Sequence, residues 1–237
     1  MSEKKFEIYL EFNYSQINLA AFNKANDRLE YYKEKNYQSY FEDYKEINFE
    51  KLEKILEESI LEIEKSIKEF VRDIYLIIET PQSKSLTLSV AKNNEGSKIV
   101  KEDAAYLVQD AKQQILKTNQ DLRIIHIIVE NYVLDNMKHK FLPLNIECNK
   151  FSIDVKFICF PKSLLKNFEK LFSKQNIFIN RFICLNYLKK LDHSEKGQNI
   201  CEWAKNIVQG INKQEVVSIP KEPAKKGFFE KLFHLFK

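Results

Sequence analysis

Residues 123–134 read RIIHIIVENYVL, and this stretch decides the fold class. It is an apolar run of strand length that bends or breaks near Glu130–Asn131, so it predicts a long, largely buried strand. Upstream, residues 101–118 predict an amphipathic helix with Ala105, Val108, Ala111, Ile115 and Leu116 on one side. Residues 92–100 between the flanking elements read as a loop, and residues 85–91 (SLTLSVA) alternate like a strand. Downstream, residues 151–160 (FSIDVKFICF) predict another strand, ending at Pro161, and a helix then runs to about Lys174. Residues 177–184 predict a strand, a short helical stretch begins at Tyr187, and residues 198–210 predict a helix ended by Gly210.

The N-terminal part follows the same logic. Residues 5–13 and 16–23 alternate like two strands around a break at Tyr14–Ser15, and residues 28–40 extend the meander as a third. Asn48 caps a helix to about Phe70, with Leu52, Ile55, Leu56, Ile60, Ile63 and Ile67 at three- and four-residue steps. Residues 73–79 (DIYLIIE) form a buried strand broken at Thr80–Pro81. Strands and helices alternate without repeats, which makes the class α/β in the mixed α+β sense.

Bulk properties exclude several functions. The chain has 237 residues and is 44% hydrophobic, which rules out a disordered protein. Net charge is only +4, from 38 basic and 34 acidic residues, so there is no nucleic-acid footprint. Cys148, Cys159, Cys184 and Cys201 lack metal-ligand spacing and predict buried free thiols in a reducing compartment, and no signal peptide or membrane span is visible. No nucleophile elbow, zinc-protease helix or P-loop is present, so the chain is not expected to be an enzyme. His126, inside an apolar strand, reads as a satisfied core histidine more readily than as a catalyst; His139 and His193 read as solvated. Trp203 is expected to anchor its helix to the core.

The last twelve residues, KGFFEKLFHLFK, carry the most pointed functional signal. On a helix, Phe228, Phe229, Leu232, Phe233, Leu235 and Phe236 fall within an arc of roughly 160°. Lys225, Lys226, Lys231 and Lys237 are placed to meet anionic headgroups while the aromatic rings enter the acyl boundary. Residues 213–225, with two prolines and several lysines, read as a flexible linker, which favours a membrane-binding helix over one docked on its own domain.

The chain resembles FtsA, the family of bacterial actin-like cell-division proteins, over residues 6–191 and in its tail. The strings that carry the likeness are KEFVRDIYLIIETP, IVKEDAAYLVQDAKQQIL, LRIIHIIVENYVLDN, FSIDVKFICF and LLKNFEKLFSKQNIFINRFICLNYLKKL, in the family's order. His126 stands in register with a family histidine. The resemblance implies a degenerate actin-like, ribonuclease H-like lobe from residues 5–82 and 162–212, with residues 83–161 as an inserted FtsA-type 1C subdomain. Linker 213–225 and membrane-targeting helix 226–237 follow. It also implies a divisome adaptor on the cytoplasmic face of the inner membrane at the division site, with anionic lipid and divisome proteins as partners. Self-association or contact with the tubulin-like FtsZ filament would follow the family.

The departures from the family bear on nucleotide binding. The family's second lobe has no counterpart here. Its phosphate turn, of the type DIGTSK, corresponds to Glu11, Phe12, Asn13, Tyr14, Ser15 and Gln16. Glycine lets backbone approach phosphate, and Asn13–Tyr14 stands there instead. No nucleotide, other cofactor or metal is therefore expected. Two other readings remain open: an actin-like ATPase completed by oligomerisation, and a soluble α/β interaction protein.

Overall fold

The computed structural model describes residues 5–36, 41–42, 46–191 and 199–216. The chain opens with a meander of β1 (Phe6–Phe12), β2 (Gln16–Asn23) and β3 (Leu29–Asn36). A two-residue pair, β4 (Phe41–Glu42) and β5 (Glu46–Ile47), leads to α1 (Phe49–Ile67). Then come β6 (Asp73–Ile78), β7 (Lys84–Asn93), α2 (Lys101–Thr118), β8 (Leu122–Leu134), β9 (Met137–His139) and β10 (Lys150–Pro161). The order closes with α3 (Lys162–Ser173), β11 (Phe178–Cys184), α4 (Leu185–Leu191) and α5 (Ile200–Val208).

The strands form two main sheets, so the fold is mixed α+β. The first has the order β11-β6-β1-β2-β3, with β11, β6 and β1 parallel and β2 and β3 antiparallel. The second has the order β7-β10-β8-β9, all antiparallel. A single continuous sheet is thereby excluded.

Both faces of the first sheet are covered, which explains why β6 reads as a nearly unbroken apolar run. Successive residues of β1 alternate between the faces. Phe12 packs edge-on against Phe168 of α3 at 5.8 Å, and Phe168 meets Phe49 of α1 at 5.1 Å. Tyr9 points the other way, edge-on to Phe22 at 5.5 Å, and α5 packs on β1 and β2. Lys205 of α5 lies over the Phe22 ring at 4.6 Å. The second sheet has its own core, with α2 laid across β7 and β10. The buried face of α2 is Ala104, Leu107, Ala111 and Ile115, one residue round from the expected face, and Ala105 is exposed.

Several boundaries differ from the sequence expectation for local reasons. Asn48 does cap α1, accepting from the Lys51 N–H at 3.1 Å. The helix stops before Phe70 because Lys68 adopts a left-handed conformation (φ 55°), which a right-handed helix cannot continue. β8 is continuous through Glu130–Asn131; the expected bend is a bulge opposite Asp154–Val155. β7 continues to Asn93, into the expected loop. α5 ends at Val208, with Gly210 at φ +82° just beyond it.

The two sheets meet where β11, an edge strand of the first, packs against β8 of the second. Ile128 of β8 and Ile158 of β10 join the core of the first sheet there. Residues 213–216, assigned to the flexible linker from sequence, are docked at this seam. The Val129 N–H donates to the Gln214 carbonyl at 2.9 Å, and the Val216 N–H to the Ile127 carbonyl at 2.8 Å. Segment 226–237 with Lys225, and His193, lie outside the described residues.

Phe168→Ala, which empties the junction of three rings, is expected to lower unfolding free energy by ~3–5 kcal/mol. Phe178→Ala on exposed β11 surface should stay within ~0.5 kcal/mol. Equal losses in urea titration would show that the α1–α3 face is not the main core.

Candidate functional site

Three places concentrate polar chemistry. The first is the turn between β1 and β2, where Glu11, Asn13, Tyr14, Ser15 and Gln16 come together. Asn13 closes this turn with its own side chain: its Oδ1 accepts from the Ser15 and Gln16 N–H groups at 3.0 and 2.9 Å, and from Ser15 Oγ at 3.3 Å. The Asn13 N–H donates to the Gln16 carbonyl at 3.2 Å. This is an asparagine-capped turn, and asparagine favours it because the side chain mimics a backbone carbonyl. The Asn13, Ser15 and Gln16 N–H groups are thus engaged within the turn.

Glu11 sits behind it, 2% exposed and directly opposite Asn18 in the β1–β2 register. The Asn13 and Asn18 Nδ2 groups donate to its two carboxyl oxygens at 2.8 and 2.6 Å. Burial pushes the Glu11 carboxyl above its ordinary range, and the two amide donors only partly offset this. The carboxylate is held by neutral donors, which is a structural arrangement, and no group of three potential metal ligands occurs among the described residues.

The second place is the seam. Glu215 is 7% exposed, in the segment docked on β8. His126 Nδ1–H donates to its Oε1 at 2.7 Å, and the Arg181 guanidinium pairs with the same oxygen. Tyr187 O–H donates to Oε2 at 2.9 Å, and Asn212 Nδ2 donates to the Tyr187 oxygen at 2.7 Å. The tautomer of His126 follows from geometry: Nε2 accepts from the Cys184 N–H at 3.0 Å, so Nδ1 carries the proton and the ring is neutral. Burial holds His126 below its ordinary value, outweighing the opposing influence of Glu215. For Glu215 burial acts upward, but the His126, Arg181 and Tyr187 donors win and hold it low. This network joins β8, β11, α4 and the C-terminal segment, and every functional atom of His126 is consumed by it.

The third place is a cleft of ≈ 480 Å³ beside that network, between the two sheets. Its apolar floor includes Ile128, Ile158, Tyr187 and Leu191. Lys84 from β7, Lys156 from β10 and Lys190 from α4 line it, and Lys156 pairs with Glu130 at 3.4 Å. Volume and lining match what a ligand or a peptide side chain needs: apolar contact with a few directed charges. The four cysteines are free and buried, and burial pushes the Cys159 thiol up to about 11, which makes it unreactive.

Sequence reasoning grouped the turn residues and identified His126 as a core histidine. It missed Glu215, Arg181, Tyr187, Lys84 and Lys190. The one available signal was His126 itself, since a histidine inside an apolar strand demands a partner, but a carboxylate 89 positions away leaves no local trace.

No protein-family model and no curated protein matches the chain. Among solved structures it is similar to the PilM–PilN type IV pilus biogenesis complex, at 8% identity and TM-score 0.46, covering 77% of this chain and 48% of that one. It is similar to the cytoplasmic domain of EpsL, an inner membrane component of the type II secretion system of Vibrio cholerae, at 9% identity and TM-score 0.36, covering 77% and 57%. A protein from Bacteroides thetaiotaomicron, described as having an actin-like ATPase fold and unknown function, is similar at 12% identity and TM-score 0.34, covering 80% and 56%. The chain thus spans about half the length of the structures it matches.

The seam network predicts a directional pH response. His126 is kept neutral by the fold, so its contribution to stability declines as pH drops below the ordinary 6.5. Glu215 is kept ionised, so its contribution is present above the ordinary 4.5 and is lost as pH falls through its lower folded value. Glu215→Ala should cost ~3–5 kcal/mol at neutral pH by stranding Arg181 and Tyr187. Glu215→Gln should flatten the lower part of the stability–pH curve in urea titrations; an unchanged curve would mean that Glu215 carries no net stabilisation.

Proposed function

We propose that this chain is a peripheral membrane adaptor of a bacterial cell-envelope machine, the divisome by its resemblance to FtsA, that holds a protein partner and binds no nucleotide. The observation that carries this reading is the lysine-walled cleft at the seam. It draws on both sheets, including residues 83–161, which the resemblance makes an inserted FtsA-type subdomain and which we take as the part that contacts a partner. Its chemistry suits an acidic segment with one or two apolar side chains: the lysines meet carboxylates, and the floor accepts the apolar group.

The turn at Asn13 supports the absence of nucleotide, because a phosphate would have to displace the Asn13 side-chain oxygen from the Ser15 and Gln16 N–H groups to reach them. The alternative, an ATPase completed by oligomerisation, has to open that turn first. No helix among the described residues is long and apolar enough to cross a membrane. The attachment proposed here runs through Phe228, Phe229, Leu232, Phe233, Leu235 and Phe236, with Lys225, Lys226, Lys231 and Lys237 at the headgroups, on the cytoplasmic face of the inner membrane.

Calorimetry with ATP and magnesium is expected to show no heat of binding; a micromolar Kd would overturn the nucleotide-free reading.

In dividing cells, a fluorescent fusion is expected at the membrane and concentrated at the division site. Phe233→Glu should move it to the cytoplasm. Lys84→Glu/Lys190→Glu should leave it on the membrane but spread it evenly. A fusion that keeps its division-site band with the reversed lysines would remove the cleft from the proposal.

A further inference from the structure

The excursion between β8 and β10 is unlike the rest of the described surface. Of the thirteen exposed large apolar residues, Met137, Phe141, Leu144 and Ile146 fall within this single stretch. They are 65%, 60%, 39% and 45% exposed. Val100 joins them, 44% exposed, because the Ile99 N–H donates to the Ile146 carbonyl at 3.0 Å and sets the two chains side by side. This is not a loose loop. Asp135 and Asn136 take left-handed conformations (φ 44° and 74°), the geometry of a tight hairpin turn, and β9 pairs back onto β8. Asp135 Oδ1 accepts from the Asn149 and Lys150 N–H groups at 3.1 and 2.8 Å, which pins the far end. The apolar side chains are therefore held outward by a built scaffold.

The charge pattern selects the occupant. Between Asn136 and Ile146 there is no acidic residue, with Asp135 and Glu147 just outside the stretch, while Lys138 and Lys140 are interspersed with the apolar residues in sequence and Lys138 alternates to the sheet face opposite Met137. Lys138 and Lys140 are exposed, and the charge of Lys138 also helps to hold the Asp154 carboxyl low. A core-forming protein contact depletes lysine. A headgroup layer instead rewards lysines flanking large apolar tips that enter the acyl boundary.

Topology adds a second argument. β10 pairs along one edge of β8, so β9 and the docked segment at Glu215 share the other edge, opposite residues 132–134 and Ile128. The last described residue on this edge is Val216, opposite Ile127, seven residues before Leu134 and so at most ~23 Å away along the strand. Residues 217–225 can span up to ~30 Å. The tail and the hairpin can therefore meet one plane together.

We infer that the Met137–Ile146 hairpin is a second contact with anionic lipid, orienting the protein on the membrane to which the proposed tail attaches it. The inference builds on the membrane reading, and the two contacts reinforce each other by raising effective concentration at the surface.

The test is co-flotation of the full chain with vesicles of phosphatidylglycerol and phosphatidylcholine in equal parts. Met137→Glu/Phe141→Glu should lower the bound fraction about tenfold with an unchanged unfolding midpoint, since both positions are exposed. Lys138→Gln/Lys140→Gln should weaken binding to the mixed vesicles and leave binding to pure phosphatidylcholine unaltered. Combining Met137→Glu/Phe141→Glu with Phe233→Glu should abolish flotation. If the hairpin variants float like wild type while Phe233→Glu does not, the hairpin inference fails and the tail reading stands. If the hairpin variants are released while Phe233→Glu floats normally, the tail reading fails and the hairpin contact stands. Hairpin variants that float like wild type but lose the division-site band would make this face a protein contact and overturn the inference.

Discussion

A buried carboxylate holds the two halves of this molecule in register. Glu215 brings a negative charge into a seam that offers it almost no water, and such a charge is costly unless its oxygens are filled. His126 comes from the second sheet, Arg181 from the edge of the first, and Tyr187 from the helix that follows it. Satisfying one charge therefore requires both sheets and the C-terminal segment to be placed together. The apolar contact of β8 with β11 alone would tolerate sliding; directional donors do not.

The same placement decides where function can reside. The cleft is lined by β7, β8 and β10 of the second sheet and by α4 and the C-terminal segment, with Lys84 and Lys190 among its lining residues. Tyr187 both donates to Glu215 and forms part of the cleft floor, so an occupant of the cleft rests on the network that fixes the seam. The exit of the tail is set by the same segment, since Val216 is hydrogen-bonded to β8 immediately after Glu215.

At the C-terminal end of β1 the chain closes its turn with an amide, at the position where the resemblance to FtsA implied a glycine. Asn13 serves three donors with one oxygen and Glu11 with its nitrogen. That solution stabilises the hairpin and satisfies a buried acid, and it leaves no open concave set of backbone N–H groups. The polar residues around this turn thus act on the fold.

The sequence by itself determined the elements. Alternation identified β1 and β2, and apolar runs identified β6 and β8; three- and four-residue spacing identified α1, and Pro161 marked the start of α3; Asn48 and Gly210 marked helix ends. It placed the break between β1 and β2 at Tyr14–Ser15. These are local properties, set by residues within a few positions of one another. Only tertiary structure decided what lies between distant segments. Residues 213–216 carry a linker's composition, yet Glu215 is buried because His126, Arg181 and Tyr187 converge on it from far along the chain. Lys84 and Lys190 line one cleft only when the two sheets dock. Charges and clefts of this kind are products of long-range convergence, and no periodicity in the sequence encodes them.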